Sequence, residues 1–425
     1  MRAGGKRGSD EAIMGQVRMA RWTFAWFAAG MGFLGLALGL LIAGFGPPQA
    51  AWEAGESRAI LHLFVLGWIG SLMIGASLQF VPVLAAAPLA FEWLSPVALG
   101  LWAGGTMALG LGFWLAWPAA LRAAAAGLSL SAGGGLAMLV PPVIAAIRRE
   151  RLVWPLAIGL AAMAATVVMG AGFALSLAGG GGLMPLPGAR SAHAILGLGL
   201  WFGLSAMAVS LKFLSMFGLA PAAPPRALAA LSAGGAAMLV AVALPDIALG
   251  IGAGVTAIYL FTGIRMLRAR RLHRLDPALA GAGIAVLALA PGLALLFVPG
   301  GALPGGLLLG MGWLSGLTLA FMPKITAFLT WMEVFGPLIG RAPVPPAAAL
   351  AAGRGRLFVL ALWLAGTVIF TSGTWLEQGL WARGGAAVMM CAAALVLAEC
   401  LKVRRLSHLP LAGRPPRPAL VFIHS

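Results

Sequence analysis

Apolar runs of about twenty residues, separated by short polar gaps, constrain this sequence more than any other feature. An α-helix of that length crosses the hydrocarbon core of a bilayer. Only 9% of the 425 residues are charged, against about 25% in a soluble protein. The sequence therefore predicts an all-α polytopic membrane protein, with residues 1–425 forming a single domain. Twelve spans are predicted, at residues 22–45, 60–84, 97–116, 124–147, 153–177, 192–217, 227–244, 247–264, 278–298, 304–330, 357–376 and 384–401.

Basic residues alternate along the chain in a way that predicts its topology. With twelve spans, one side receives both tails (1–21 and 402–425) and three basic clusters, at 148–151, 265–274 and 341–356. The other side receives only Arg58, Arg122, Arg190 and Arg383. By the positive-inside rule both termini are cytoplasmic, as for a protein of a bacterial inner (plasma) membrane. The net charge of +17 thus reflects topology and contact with the lipid bilayer, not nucleic-acid binding.

A tryptophan is followed eleven residues later by a polar side chain in three of the spans. The pairs, in spans 2, 6 and 10, are Trp68–Gln79, Trp201–Lys212 and Trp313–Lys324. Eleven residues make about three helical turns, so each pair shares one helix face. The spacing of these spans divides the twelve helices into three pseudo-repeated blocks of four. Since each block holds an even number of spans, the copies run parallel.

Two histidines lie just upstream of this pattern and are candidate metal ligands. His62 begins span 2 and His193 begins span 6, whereas span 10 has no histidine. Ionisable residues in a membrane are costly and mark function, and imidazole ligates haem iron and copper. The alternative interpretation is that each imidazole only bonds a carbonyl or interfacial water. Nearby arginines are candidate partners of haem propionates, or else extend to lipid headgroups: Arg58, Arg190 and Arg383.

At the other end of the same spans, Gln79, Lys212 and Lys324 are candidates for a polar or proton path. The alternative is that the lysines extend to the nearby cytoplasmic interface. Glu399, close to the inner end of span 12, is expected to pair with one of the two lysines.

These motifs, HLFVLGW with QFVPVL, HAILGLGLW with KFLSMF, and MPKITAFLTW, resemble the haem-copper oxidase subunit I superfamily. The resemblance implies twelve helices with a pseudo-three-fold arrangement. It implies that His62 is an axial ligand of a low-spin haem and that His193 binds copper. Span 7 lacks the superfamily's histidine pair, span 10 lacks its histidines, and spans 6 and 7 lack its tyrosine. Reduction of oxygen at a complete binuclear centre is therefore not expected.

We predict a membrane protein that binds haem b, with copper as a second candidate metal, and that has a redox role or a role involving nitric oxide or oxygen. The chain is also similar to a twelve-helix, histidine-bearing family linked to nitric oxide stress. If it is an enzyme, it is an oxidoreductase of the cytochrome oxidase or nitric oxide reductase kind. Its expected partners are an electron-donor protein and other membrane subunits. The alternatives are a transporter or channel for metal ions or small molecules, and a scaffold without cofactor.

Overall fold

A computed structural model describes residues 4–180, 187–340, 343–351, 355–407 and 409, with only the backbone described for residues 4–19. The predicted tails 1–21 and 402–425 therefore lie partly outside the described residues, as do Arg341 and Arg354. The described part contains twelve helices long and apolar enough to cross a membrane, and no β-strand. Both the all-α class and the twelve spans are confirmed. The helices are α1 (Gly4–Ala43), α2 (Gly55–Ala85), α3 (Leu94–Trp114), α4 (Pro118–Ala146), α5 (Val153–Gly180), α6 (Ala189–Gly218), α7 (Pro225–Ala243), α8 (Pro245–Arg268), α9 (Pro277–Leu295), α10 (Ala302–Val334), α11 (Arg356–Trp375) and α12 (Gly379–Arg404).

The helices pack in chain order and then close on themselves. Extensive contacts join α3 to α4, α4 to α5, α7 to α8 and α11 to α12, while α1 packs on both α2 and α12. The most buried spans are α2, α6 and α10. α2, α6 and α10 are called here the central helices. Their N-terminal ends, where His62 and His193 lie, form the histidine end of the bundle. The opposite end, with Lys212 and Lys324, is called the lysine end.

Each central helix contains a π-helical segment at the same place. The segments are Leu63–Gly70 in α2, Ile195–Leu204 in α6 and Leu308–Leu314 in α10, and each encloses the repeated tryptophan. A π turn is rare and is found mostly at functional sites. Three such segments at equivalent positions support the predicted division into three blocks of four helices.

The repeated tryptophans link the three blocks in a ring. Trp68 of the first block donates its indole N–H to Ser315 Oγ of the third, over 2.9 Å. Trp313 of the third block lies against Gly203 of the second, where a Cβ would be 3.5 Å from the indole. Trp201 of the second block packs edge-on against Trp102 of the first, with ring centroids 6.0 Å apart. The contacts run from the first block to the third, from the third to the second and from the second to the first. A three-fold axis along the bundle requires this order.

We expect Ser315→Ala to destabilise the bundle by about 1–3 kcal/mol, because it leaves the fully buried Trp68 indole N–H without an acceptor. The measurement is the free energy of unfolding in detergent. Ser77→Ala is the matched control, since its hydroxyl bonds only the carbonyl of Met73 in its own helix. Equal losses in the two variants would contradict this account of the Trp68–Ser315 bond.

Candidate functional site

A cavity of about 900 Å³ occupies the histidine end of the bundle. Its walls come mainly from α2, α5, α6, α8 and α10, and most of its lining is apolar. Cofactor and ligand sites have volumes of about 300–1,000 Å³ and carry a few polar groups on an apolar lining. The cavity therefore has the size and character of a site for a large, mostly apolar ligand.

His62 faces this cavity with its ring held in one orientation. Its Nδ1 lies 2.8 Å from the Arg58 carbonyl oxygen, one turn earlier in α2. Because a carbonyl only accepts, Nδ1 carries the proton and Nε2 keeps its lone pair. The ring also packs against Phe113 of α3, with centroids 5.1 Å apart. Histidines that ligate metals typically bond a carbonyl, carboxylate or water through their second ring nitrogen, as His62 bonds the Arg58 carbonyl.

His193 lines the same cavity from α6. Its ring packs edge-on against Phe173 of α5, with centroids 5.5 Å apart, and its Cε1 lies beside Gly170. Its Nδ1 is buried and has no hydrogen-bond partner among the described residues. Such an orphaned nitrogen needs an explanation, and a bound ligand is one. Both predicted histidines thus line one cavity.

Two of the three predicted arginines reach the cavity. Arg58 and Arg190 both line it, with the Arg58 guanidinium 5.3 Å from the centroid of the Phe113 ring. Arg383 does not line it; its Nε instead donates to the Ile42 carbonyl over 2.8 Å at an exposed site. The reason is position, because α12 packs against α1 and not against the central helices here.

Two acidic residues of the lining were missed by sequence reasoning. Glu53 precedes α2 and Asp246 lies in the first turn of α8, and both line the cavity. A signal was present, since each occurs at the same end of the spans as Arg58 and Arg190. With these arginines they give the cavity charges of both signs around an apolar interior.

The polar residues of the lysine end do not line the cavity. Lys324 pairs with Asp276, the N-cap of α9, and its Nζ lies 4.1 Å from the centroid of the Phe217 ring. The Nε2 atom of Gln79 is buried without a partner in the described part of the chain, and Lys212 is half-buried. The expected pairing of Glu399 with a lysine is wrong. Glu399 pairs with Arg356, because its face of α12 packs on the start of α11.

An aromatic cluster joins the three central helices at the lysine end. Phe80 of α2 packs on Phe213 of α6, with ring centroids 5.6 Å apart. Phe213 in turn packs on Phe321 of α10 at 4.6 Å, and Phe217 completes the cluster. The rings lie beside the polar residues of this end, since Phe80 follows Gln79 and Phe213 follows Lys212 in the sequence.

No family model matches the chain, and no curated protein sequence matches it. Among solved structures, the chain is similar to a haem-copper terminal oxidase dimer determined by cryo-electron microscopy. The sequence identity is 13% and the TM-score is 0.44, over 92% of this chain and 84% of that one.

Proposed function

We propose that this protein binds a b-type haem in the cavity at the histidine end and serves a redox role or one involving nitric oxide or oxygen. The observation that supports the proposal most is the pair of imidazoles. One is oriented by the Arg58 carbonyl and the other has an orphaned buried nitrogen, and both face one cavity of about 900 Å³. The resemblance of spans 2, 6 and 10 to the haem-copper oxidase subunit I superfamily supports haem as the cofactor.

The donor set of the cavity suits a haem iron better than a bare metal ion. No group of three or more His, Cys, Asp or Glu side chains capable of holding a metal occurs among the described residues. Structural zinc takes four such ligands, whereas haem brings its own four ring nitrogens and needs only axial ones. His62 and His193 supply two imidazoles, which is the number that six-coordinate haem requires.

In this proposal two histidines and two arginines of the cavity have roles. His62 is the first axial ligand, and His193 is the second or holds a copper ion. Arg58 and Arg190 pair with the propionates through charge-assisted hydrogen bonds. A haem held there supplies one-electron exchange or a coordination position for a diatomic gas. Since α10 has no histidine, we do not propose reduction of oxygen to water.

The membrane and the partners complete the proposal. The twelve spans make the chain a multi-pass membrane protein within a lipid bilayer. We assign it to a bacterial plasma membrane with both termini cytoplasmic, from the alternation of basic residues. A redox role requires an electron-donor protein, and further membrane subunits are expected beside it.

An absorption spectrum of the purified protein tests the proposal. The protein is expressed with haem and copper supplied, purified in detergent and assayed for iron, copper and haem type. We expect a Soret band, a b-type pyridine haemochrome spectrum and about one iron per chain. Protein without a Soret band and without copper would contradict the proposal.

The transporter alternative requires a permeation path from the cavity past the cluster of Phe80, Phe213, Phe217 and Phe321 at the lysine end. The alternative would gain support from metal-ion flux into proteoliposomes that His62→Ala abolishes.

A further inference from the structure

Two of the three blocks close their π-helical segment with a tryptophan from the next helix. In the first block, Trp102 of α3 donates its indole N–H to the Leu66 carbonyl over 3.1 Å. In the third block, Trp363 of α11 donates to the Met311 carbonyl over 2.7 Å. Each acceptor lies two residues before the repeated tryptophan of its block. Both donors are almost fully buried, so each indole fills the space beside the wide turn.

The second block lacks this tryptophan. Its third helix, α7, contains no aromatic residue at all. The acceptor position corresponding to Leu66 and Met311 is Gly199 in α6. The side chain beside it is Met238 of α7, whose Cε would lie 3.5 Å from a Cβ on Gly199. A thioether is smaller than an indole and cannot donate a hydrogen bond to the Gly199 carbonyl.

The space that the missing indole leaves is part of the cavity. Gly199, Met238 and Gly252 of α8 all line it. Met238 lies between the two glycines, because a Cβ on Gly252 would be 3.2 Å from the same Cε. Glycines on two facing helices let a ligand approach the backbone closely. The unbranched methionine side chain adapts its shape to what binds beside it.

We propose that the second block holds the flat ring of the ligand where the other two blocks hold tryptophan, against Gly199, Met238 and Gly252. The ligand is a planar, mainly apolar aromatic macrocycle of the porphyrin class. The choice of a porphyrin rests on the proposed function. Binding of a flat ring in the space beside Gly199, Met238 and Gly252, called here the slot, does not need iron.

Metal-free protoporphyrin IX distinguishes binding of the ring in the slot from binding through iron ligation. Its binding to the detergent-solubilised full chain is followed by fluorescence for wild type and for Met238→Ala, Met238→Phe and Met238→Trp. We expect the affinity to fall as the side chain grows, by about tenfold or more for Met238→Trp. We expect Met238→Ala to bind at least as well as wild type.

The control for adding an indole is Met216→Trp in α6, where the methionine is 47% exposed on the outside of the bundle. Thermal unfolding and gel filtration show whether each variant is folded. If Met238→Trp is not folded, the affinity of Met238→Phe is compared with that of wild type instead. Equal binding across the Met238 series, or no binding by wild type, would overturn the inference. A series that falls with size in a protein that shows no Soret band with haem would uphold the slot and refute the proposed function.

Discussion

His62→Ala is expected to abolish the Soret band that we predict for the wild-type protein, or to reduce haem retention more than about 100-fold. Loss of even a group that orients a metal ligand costs about 10–100-fold in affinity, and His62 is the proposed ligand itself. It is also the imidazole whose free nitrogen is preset by the Arg58 carbonyl. The measurement is haem content per chain and the absorption spectrum after purification.

His273→Ala is the matched control, because His273 is exposed in the loop between α8 and α9 and lies outside the cavity. His193→Ala then distinguishes the two roles of the second imidazole. As an axial ligand, its loss changes a six-coordinate spectrum to a five-coordinate one. As a copper ligand, its loss removes copper and leaves the spectrum unchanged. Full haem retention in His62→Ala would contradict its assignment as a ligand.

Glu333→Ala is expected to lower the free energy of unfolding by about 3–5 kcal/mol, because it breaks an ion pair between two buried side chains. Glu333 ends α10 and accepts a hydrogen bond from Arg404 of α12 over 2.7 Å, and the two side chains are 8% and 3% exposed. Arg404 also donates to Thr330 and lies 4.1 Å from the Phe24 ring centroid. The pair therefore joins three helices, and the loss is measured by unfolding in detergent.

A double variant tests whether the cost comes from the broken ion pair. Glu333→Leu with Arg404→Met removes both charges and is expected to recover most of the lost stability. Glu377→Ala, at an exposed site beyond α11, controls for loss of a carboxylate. If Glu333→Ala were no more destabilising than Glu377→Ala, the ion pair would not be a stabilising link between α10 and α12.

The sequence was sufficient to predict the elements of this fold but not their lateral contacts. Hydropathy fixes where a chain crosses a bilayer, and the twelve predicted spans agree with the helices to within a few residues at most ends. His62 and His193 were expected at one depth, and both line one cavity. Arg383 was expected there too, but depth alone does not say which helix faces the centre. The failed Glu399 prediction has the same cause.

Long-range pairing accounts for what the sequence could not show. Lys324 pairs with Asp276, 48 residues away, and Trp68 bonds Ser315, 247 residues away. No local pattern connects such positions, since the contact depends on how the helices pack. The π-helical turns were likewise not predicted from the sequence. The Trp-to-polar spacing indicated the three central helices, but only the structure shows that each repeated tryptophan contacts a neighbouring block.

The π-helical segments of the three central helices carry a consequence for descent. A π turn is rare, so it is more readily inherited from one ancestor than acquired three times at the same place. The ancestral unit was then a group of four helices that already contained the wide turn, before two duplications joined three copies in one chain. The copies have since diverged around it. Two of them now place a histidine at the start of the segment, and the third places Gly306 and Leu307 there.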